Sequence, residues 1–501
     1  MHRSLYDALC QAASEHPNQV AWIIPSVRSI QTIAWSEFRQ HVDRLARWLA
    51  SSGITRSDRV VNLEPNSHRW AMLDLACAAL GAIHSPIDPR WHTNQIKKAI
   101  DSLEPKAIFT TRDLGLGCKK TKTIEQALEQ ATIAACETQV RGWQDADLAE
   151  QTANILWTSG TSASPKGVML SHCNLLTNAY AKLDAMPQQS TDVRLNILPF
   201  AHAYARTCEL TTWLLSKSAM ACAVSSHTFS DTAQGIQPTL INAVPSLFEY
   251  WIKAADQVST EARSNLLRSF FGGQVRQLAS GGAAIGDSIR QRLAQESLPI
   301  FQGYGLTEAS PVVCSNRAAP AVLDGVGPPV QGVELRVDSN QRLWVRSPGL
   351  MQGYWRNEAA TSERIQNGWL DTGDCVAFGT NATNLYVTGR ADDIQVLSTG
   401  YKFSPRMLEQ PIEQIDGIVA CVVLGTNRRR PIAIVCSQER SDLLSQSQLL
   451  EIIHSRLIEQ PEHLKISQVV VCTEAWTVEN GLRHWKGGVN RKEIARRFAP
   501  D

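Results

Sequence analysis

The chain has 501 residues, 43% hydrophobic and 19% charged, the composition of a soluble globular protein too long for one ordinary domain. Lys and Arg number 49 against 48 Asp and Glu, which gives no electrostatic reason to bind nucleic acid or an anionic membrane surface. An anionic ligand must therefore be held locally. No stretch approaches the roughly 18 apolar residues that cross a bilayer. The opening MHRSLYDALCQAASEHPNQ lacks the apolar run of a secretory signal, so the cytoplasm is the expected location. Twelve cysteines stand singly, with no Cys-x-x-Cys pair and no zinc-like His spacing, as expected of reduced thiols.

The first strong periodic segment predicts a helix from Ser36 to about Leu49, with Phe38, Val42, Leu45 and Leu49 on one face, Ser36 as cap and Gly53 as stop. Short β-branched runs predict strands at Arg59–Leu63, Ala107–Thr110, Asn154–Thr158 and Leu240–Val244. Such alternation of helix and strand implies an α/β fold of helix-covered, mostly parallel sheets. Near Thr388–Arg390 the texture changes, and the last hundred or so residues carry the shorter apolar runs CVVLG, PIAIVC and QVVVC. A boundary there divides the chain into a large domain, 1–390, and a small α+β domain, 391–501, joined by a hinge.

After the strand NILWT comes a loop, TSGTSASPK, whose composition suits polyphosphate. Gly160 allows backbone N–H groups to turn inward, Thr158, Ser159, Thr161 and Ser162 add donors, and Lys166 adds a positive charge. It is not the Walker loop, because Pro165 precedes the lysine. A flexible polar surface loop has the same composition, and the loop alone leaves both readings open.

Three further segments bear on the choice. Gly303–Pro311 reads GYGLTEASP, Trp369–Asp374 reads WLDTGD, and Gly389–Lys402 reads GRADDIQVLSTGYK. Each is weak singly; their order is specific. With GVMLSHCNLL, VGPPVQGVELRV and SPGLMQGYWRNEAATSERIQNGWLDTGD, they make the sequence resemble the adenylate-forming superfamily of acyl-CoA synthetases, luciferases and adenylation domains over nearly its whole length.

The resemblance implies that ATP and a carboxylic acid form an acyl-adenylate and pyrophosphate, and that a thiol of CoA or of a carrier protein's phosphopantetheine then takes the acyl group. It implies Mg²⁺ near Glu308, Thr307 on the α-phosphate, Tyr304 on the adenine face, Asp374 on the ribose diol with Arg390 nearby, and Lys166 on the phosphates. Gly281, Gly282 and Ala283 would let backbone approach the adenylate. From the residues alone, Tyr304 could equally be a core aromatic, Glu308 a first-turn acid and Asp374 a turn residue.

LPFAHAYARTCEL at 198–210 and the extra residue between Arg390 and Gly400 resemble the long-chain fatty acid branch, although Ala205 stands where that branch has Glu. His202 would be a substrate-gate residue, with Arg206 retained beside it; a structural histidine fits the same position. No acid lies between Leu198 and Cys208 to pair with an α-ammonium, which disfavours amino acid substrates. Asp392 matches the family's hinge between the two steps. Arg428–Arg430 could meet an acidic carrier protein or a CoA phosphate, or could simply be solvated.

The family's C-terminal lysine is missing at its aligned place. Alignment on Arg491 puts Gly488 there, and Lys486, two residues earlier, is the expected substitute. Ala163 also replaces a usual phosphate-loop glycine. These departures keep open a nucleotide- or adenylate-binding protein with degraded catalysis, and a ligase passing the adenylate to another nucleophile.

Overall fold

Phe38, Val42, Leu45 and Leu49 are all fully buried along a helix that runs Trp35–Ser51. Ser36 is not its cap. Ala34 holds that position without a side-chain hydrogen bond, because Pro17 and Gln19 offer backbone carbonyls to the N–H groups of Ser36 and Trp35. The helix closes at Ser52, after which Gly53 takes φ +86°. The expected strands form as Arg59–Asn62, Ala107–Phe109, Thr152–Thr158 and Leu240–Ala243.

This computed structural model describes residues 2–25, 30–113, 115, 121–133, 148–158, 165–256, 266–283, 285–318, 321–322, 325–379, 384–437, 445–458, 460–477, 479–483 and 488–500. The chain forms two compact units, one of Met1–Leu335, Val345–Asp371 and Gly379–Leu385, the other of Arg336–Trp344, Thr372–Phe378 and Tyr386–Asp501.

Two large sheets lie in the first unit. In one, the strands lie in the order Val312–Ser315, Ile300–Gly305, Gln277–Ser280, Leu240–Ala243, Val193–Asn196, Ala219–Cys222, Val20–Pro25, Ile30–Ala34, parallel throughout except at the two edges. In the other the order is Gly353–Tyr354, Lys166–Ser171, Thr152–Thr158, Ile83–Pro86, Arg59–Asn62, Ala107–Phe109, Thr121–Lys122, with antiparallel pairing only among the first three. Mostly parallel sheets need cover on both faces. Phe229, Phe248, Trp251 and Phe271 pack in one core cluster against the first sheet, and Ile96, Ile100 and Leu103 in one against the second. The expected α/β class is thus observed.

The second unit centres on strands Ile418–Leu424, Ile432–Ser437 and Gln468–Cys472, the first pair antiparallel and the second parallel. Helices Arg406–Glu413 and Gln446–Arg456 cover one face through Leu408, Ile412, Leu449 and Ile453. Trp476, Leu482 and Ile494 cover the other. The described cysteines are free thiols, and among the described residues no helix is long and apolar enough to cross a membrane.

Candidate active site

Four of the sequence's chemical segments start where a parallel strand stops. Val193–Asn196 leads into the His202 segment, Gln277–Ser280 into Gly281–Ala283, Ile300–Gly305 into Thr307 and Glu308, and Thr152–Thr158 into the phosphate loop. Open parallel sheets bind ligands beyond these carboxyl ends.

The loop's two ends are fixed by the last register pair of a hairpin, Thr158 with Lys166, where the Thr158 hydroxyl donates to the Lys166 carbonyl at 3.4 Å. Ser159, Gly160, Thr161, Ser162 and Ala163 lie outside the described residues. The Lys166 ammonium stands 5.1 Å from the centroid of the Tyr354 ring. Tyr354 in turn donates its hydroxyl to Glu308 Oε1 at 2.7 Å. Burial, with the charge of Glu308 next, pushes this hydroxyl well above its ordinary titration range, so it remains a donor.

Glu308 belongs to the one-turn 3₁₀ segment Thr307–Ala309 and is buried, while Thr307 beside it is partly exposed. The turn depends on Gly305, where an added Cβ would lie 1.8 Å from the Pro311 carbonyl oxygen. Tyr304 pairs with Cys314 across the strand and is partly buried. Gly281 meets the Tyr204 ring, 3.2 Å from where its Cβ would be; Gly282 has φ +82° and Ala283 is exposed.

His202 is held by a carboxylate that lies 114 positions earlier. Its Nε2 is 2.9 Å from Asp88 Oδ2, and the guanidinium of Arg90 donates to the same carboxylate at 2.6 Å and 2.9 Å. Burial works to raise the Asp88 carboxyl, and the bonds from Arg90 and His202 overcome it, holding it well below the ordinary carboxylate range. A carboxyl depressed in the folded state gives stability above its unfolded value and loses it as pH falls. Asp88→Asn should therefore melt lower than wild type at pH 7 and lose less further stability when pH drops through the ordinary value of 3.8. Melting curves with parallel pH dependence would reject that linkage.

Arg206, which the sequence places with His202, serves elsewhere. It is 1% exposed and donates to Asp74 Oδ2 at 2.8 Å, Asn154 Oδ1 at 3.1 Å and Thr211 Oγ1 at 2.9 Å. It starts a π-helical turn, Arg206–Thr211, which also buries Glu209 against Arg194 at 3.0 Å. This is a structural ion-pair core, so Arg206 is not beside His202 chemistry as a free cation.

In the second unit, Arg390 donates to Asp374 Oδ1 at 2.9 Å and to the Thr372 carbonyl at 3.3 Å, and Asp374 is buried. Asp392 falls in the 3₁₀ turn Ala391–Asp393. Lys486 lies outside the described residues. Gly488 is exposed, and an added Cβ there meets nothing within 4 Å. Arg491 is tied to Glu409 at 3.2 Å and to the Val423 carbonyl at 3.0 Å. Arg428 donates to the Pro500 carbonyl at 2.5 Å and Arg430 to Glu462 at 2.8 Å.

Asp88, Asp74 and Tyr354 are the residues that sequence reasoning missed. The Asp88-Pro-Arg90 turn after a strand was a local signal for the carboxylate–guanidinium pair, but nothing local pointed to His202.

Among the described residues no three His, Cys, Asp or Glu side chains converge to hold a metal. Glu308 Oε1 is engaged by Tyr354, and Oε2 has no hydrogen bond from a described residue. One carboxylate oxygen, with phosphate oxygens and waters completing an octahedron, is the donor set that Mg²⁺ takes. The residues present fit it.

Phosphate-suited hairpin, carboxylate turn and glycine turn at the carboxyl ends of helix-covered sheets define a nucleotide-handling α/β enzyme class. The chain belongs to the AMP-binding enzyme family, which it matches over residues 9–355, and it matches the AMP-binding enzyme C-terminal domain over 392–501. It is 26% identical over 452 residues to the long-chain-fatty-acid–CoA ligase FadD15 of Mycobacterium bovis, covering 78% of this chain and 75% of that one. It is 22% identical over 608 residues to the chloroplastic long-chain-fatty-acid acyl-carrier-protein ligase AEE15 of Arabidopsis thaliana, covering 96% and 83%. Its fold is like that of ATP-bound MatB from Rhodopseudomonas palustris, with TM-score 0.83, 22% identity and coverage of 99% and 98%.

Proposed function

We propose that the protein is an AMP-forming ligase that joins ATP to a fatty, apolar carboxylic acid with release of pyrophosphate, then passes the acyl group to the thiol of CoA or of acyl carrier protein. The observation that carries this reading is the convergence of Lys166, Tyr354 and Glu308 at the mouth of the phosphate hairpin. Carboxylate attack on a triphosphate brings like charges together, and Lys166 and the hairpin donors offset that repulsion. Glu308 would hold Mg²⁺, which when bound would screen the phosphate charge.

The other roles belong to the same proposal. Thr307 meets the α-phosphate, Tyr304 the adenine, Asp374 with Arg390 the ribose, Gly281–Ala283 the adenylate, and His202 gates the acid. Asp392 is the hinge between the domains expected at 1–390 and 391–501, although the second compact unit already begins its last segment at Tyr386. Asp88 does not restore an amino acid site, since its charge is already matched by Arg90. Relatives that are named fatty acid ligases of CoA and of acyl carrier protein support the substrate class and leave two acceptors.

The test is mass spectrometry of products from mixed fatty acids with ATP, run first with CoA and then with acyl carrier protein. Acyl-adenylate and thioester are expected. ATP binding without pyrophosphate from any acid would replace the ligase with a binding protein. The same assay on two variants locates the missing lysine: Lys486→Ala should slow adenylation while presynthesised acyl-adenylate still gives thioester. A silent Lys486→Ala with a faster Gly488→Lys, where an added Cβ meets nothing within 4 Å, would reject Lys486 as the substitute.

A further inference from the structure

Lys166 and Glu308 are 142 positions apart in sequence, and neither touches the other's backbone segment directly in the hydrogen bonding described. The segment Met351–Trp355 joins them. At one end, Met351 N–H donates to the Glu308 carbonyl at 2.8 Å. At the other, Tyr354 pairs with Val168 in the sheet, and Trp355 N–H donates to the Gly167 carbonyl at 2.7 Å. The strap is therefore fixed to the carboxylate turn and to the phosphate hairpin by backbone bonds. Its Tyr354 side chain, 3% exposed, then reaches both functional groups at once.

We infer that Tyr354 is a positioning residue for the phosphate and cation site, acting on Glu308 through its hydroxyl and on Lys166 through its ring. A carboxylate with no fixed donor samples several rotamers, and only some aim an oxygen at a bound cation. The 2.7 Å bond selects one, using Oε1 and leaving Oε2 for the metal. Second-layer hydrogen bonds of this kind tune metal sites strongly.

The ring does a different job. A cation on an aromatic face is held only weakly where solvent reaches it. Lys166 is partly exposed there, so the ring fixes its direction while a charge-assisted bond to phosphate can still draw it off. Both effects rest on the ATP and Mg²⁺ reading above.

Two variants separate them. Tyr354→Phe keeps ring and packing and loses the hydroxyl; Tyr354→Leu loses both. Calorimetric titration of Mg²⁺ into the protein saturated with ATP should show roughly 10-fold weaker Mg²⁺ binding in Tyr354→Phe. ATP binding measured in EDTA should be unchanged in Tyr354→Phe and weaker in Tyr354→Leu. Glu308→Gln is the control for the metal reading. If it weakens Mg²⁺ binding and Tyr354→Phe does not, the positioning role is overturned and the metal site stands. If Glu308→Gln is itself silent, the metal site and the inference fall together. A Tyr354→Phe protein whose Mg²⁺-dependent and Mg²⁺-free ATP binding weaken equally, with a lowered melting temperature, would reduce Tyr354 to packing and also overturn the inference.

Discussion

Replacing Glu308 by Gln should reduce pyrophosphate release by roughly 10²-fold or more, the scale at which a preorganised electrostatic group contributes to a charged transition state. The substitution is nearly isosteric. The introduced glutamine can still accept the Tyr354 hydroxyl through its amide oxygen, and the backbone carbonyl at this position still accepts from Met351, so the turn Thr307–Ala309 should persist. What is lost is the negative charge that would hold the cation. Circular dichroism and melting temperature should stay near wild type while the rate falls. Release at the wild-type rate would show that Glu308 holds no catalytic metal, whatever its neighbours suggest.

The second large effect is on stability. Arg206→Met should cost about 3–5 kcal/mol, because it leaves the Asp74 carboxylate buried without its charge partner. Asp74 is 5% exposed; its Oδ1 accepts from Asn154 at 3.0 Å and lies 2.8 Å from His84 Nδ1, and its Oδ2 accepts from Arg206. Burial works to raise this carboxyl, and Arg206, with His84 next, holds it well below the ordinary range. Removing the guanidinium leaves the burial cost and takes away the largest offset to it. Urea unfolding should show the loss as a lowered midpoint. The double replacement Asp74→Leu with Arg206→Met should recover most of it, since two apolar side chains can be buried without either charge. A single variant within about 0.5 kcal/mol of wild type, the range of ordinary surface substitutions, would mean that the pair is solvated.

The two residues show how differently function and structure were legible. Glu308 stood out in GYGLTEASP because a carboxylate after two glycines and a hydroxyl is a local pattern, complete within a few positions. Arg206 looked functional for the same local reason, its place beside His202. Its actual partner is Asp74, 132 positions away on the helix His68–Leu80, a segment whose alanines and leucines announce only burial. The helix Trp35–Ser51 was legible for its apolar face and misread at its cap, because the capping carbonyls come from Pro17 and Gln19 in the loop before it.

The sequence by itself determined the α/β class, the places of one helix and four strands, and the identity of the motifs, since periodicity, turn chemistry and motif spacing are written in neighbouring residues. Tertiary structure alone decided which side chains meet. Asp88 with His202, Tyr354 with Glu308 and Lys166, and Asp74 with Arg206 are pairings across 46 to 188 positions, set by strand order and register in two sheets. No local propensity encodes such a meeting. It is a consequence of burying the apolar faces of many elements at once, which leaves each polar group only the partners that the packing brings within reach.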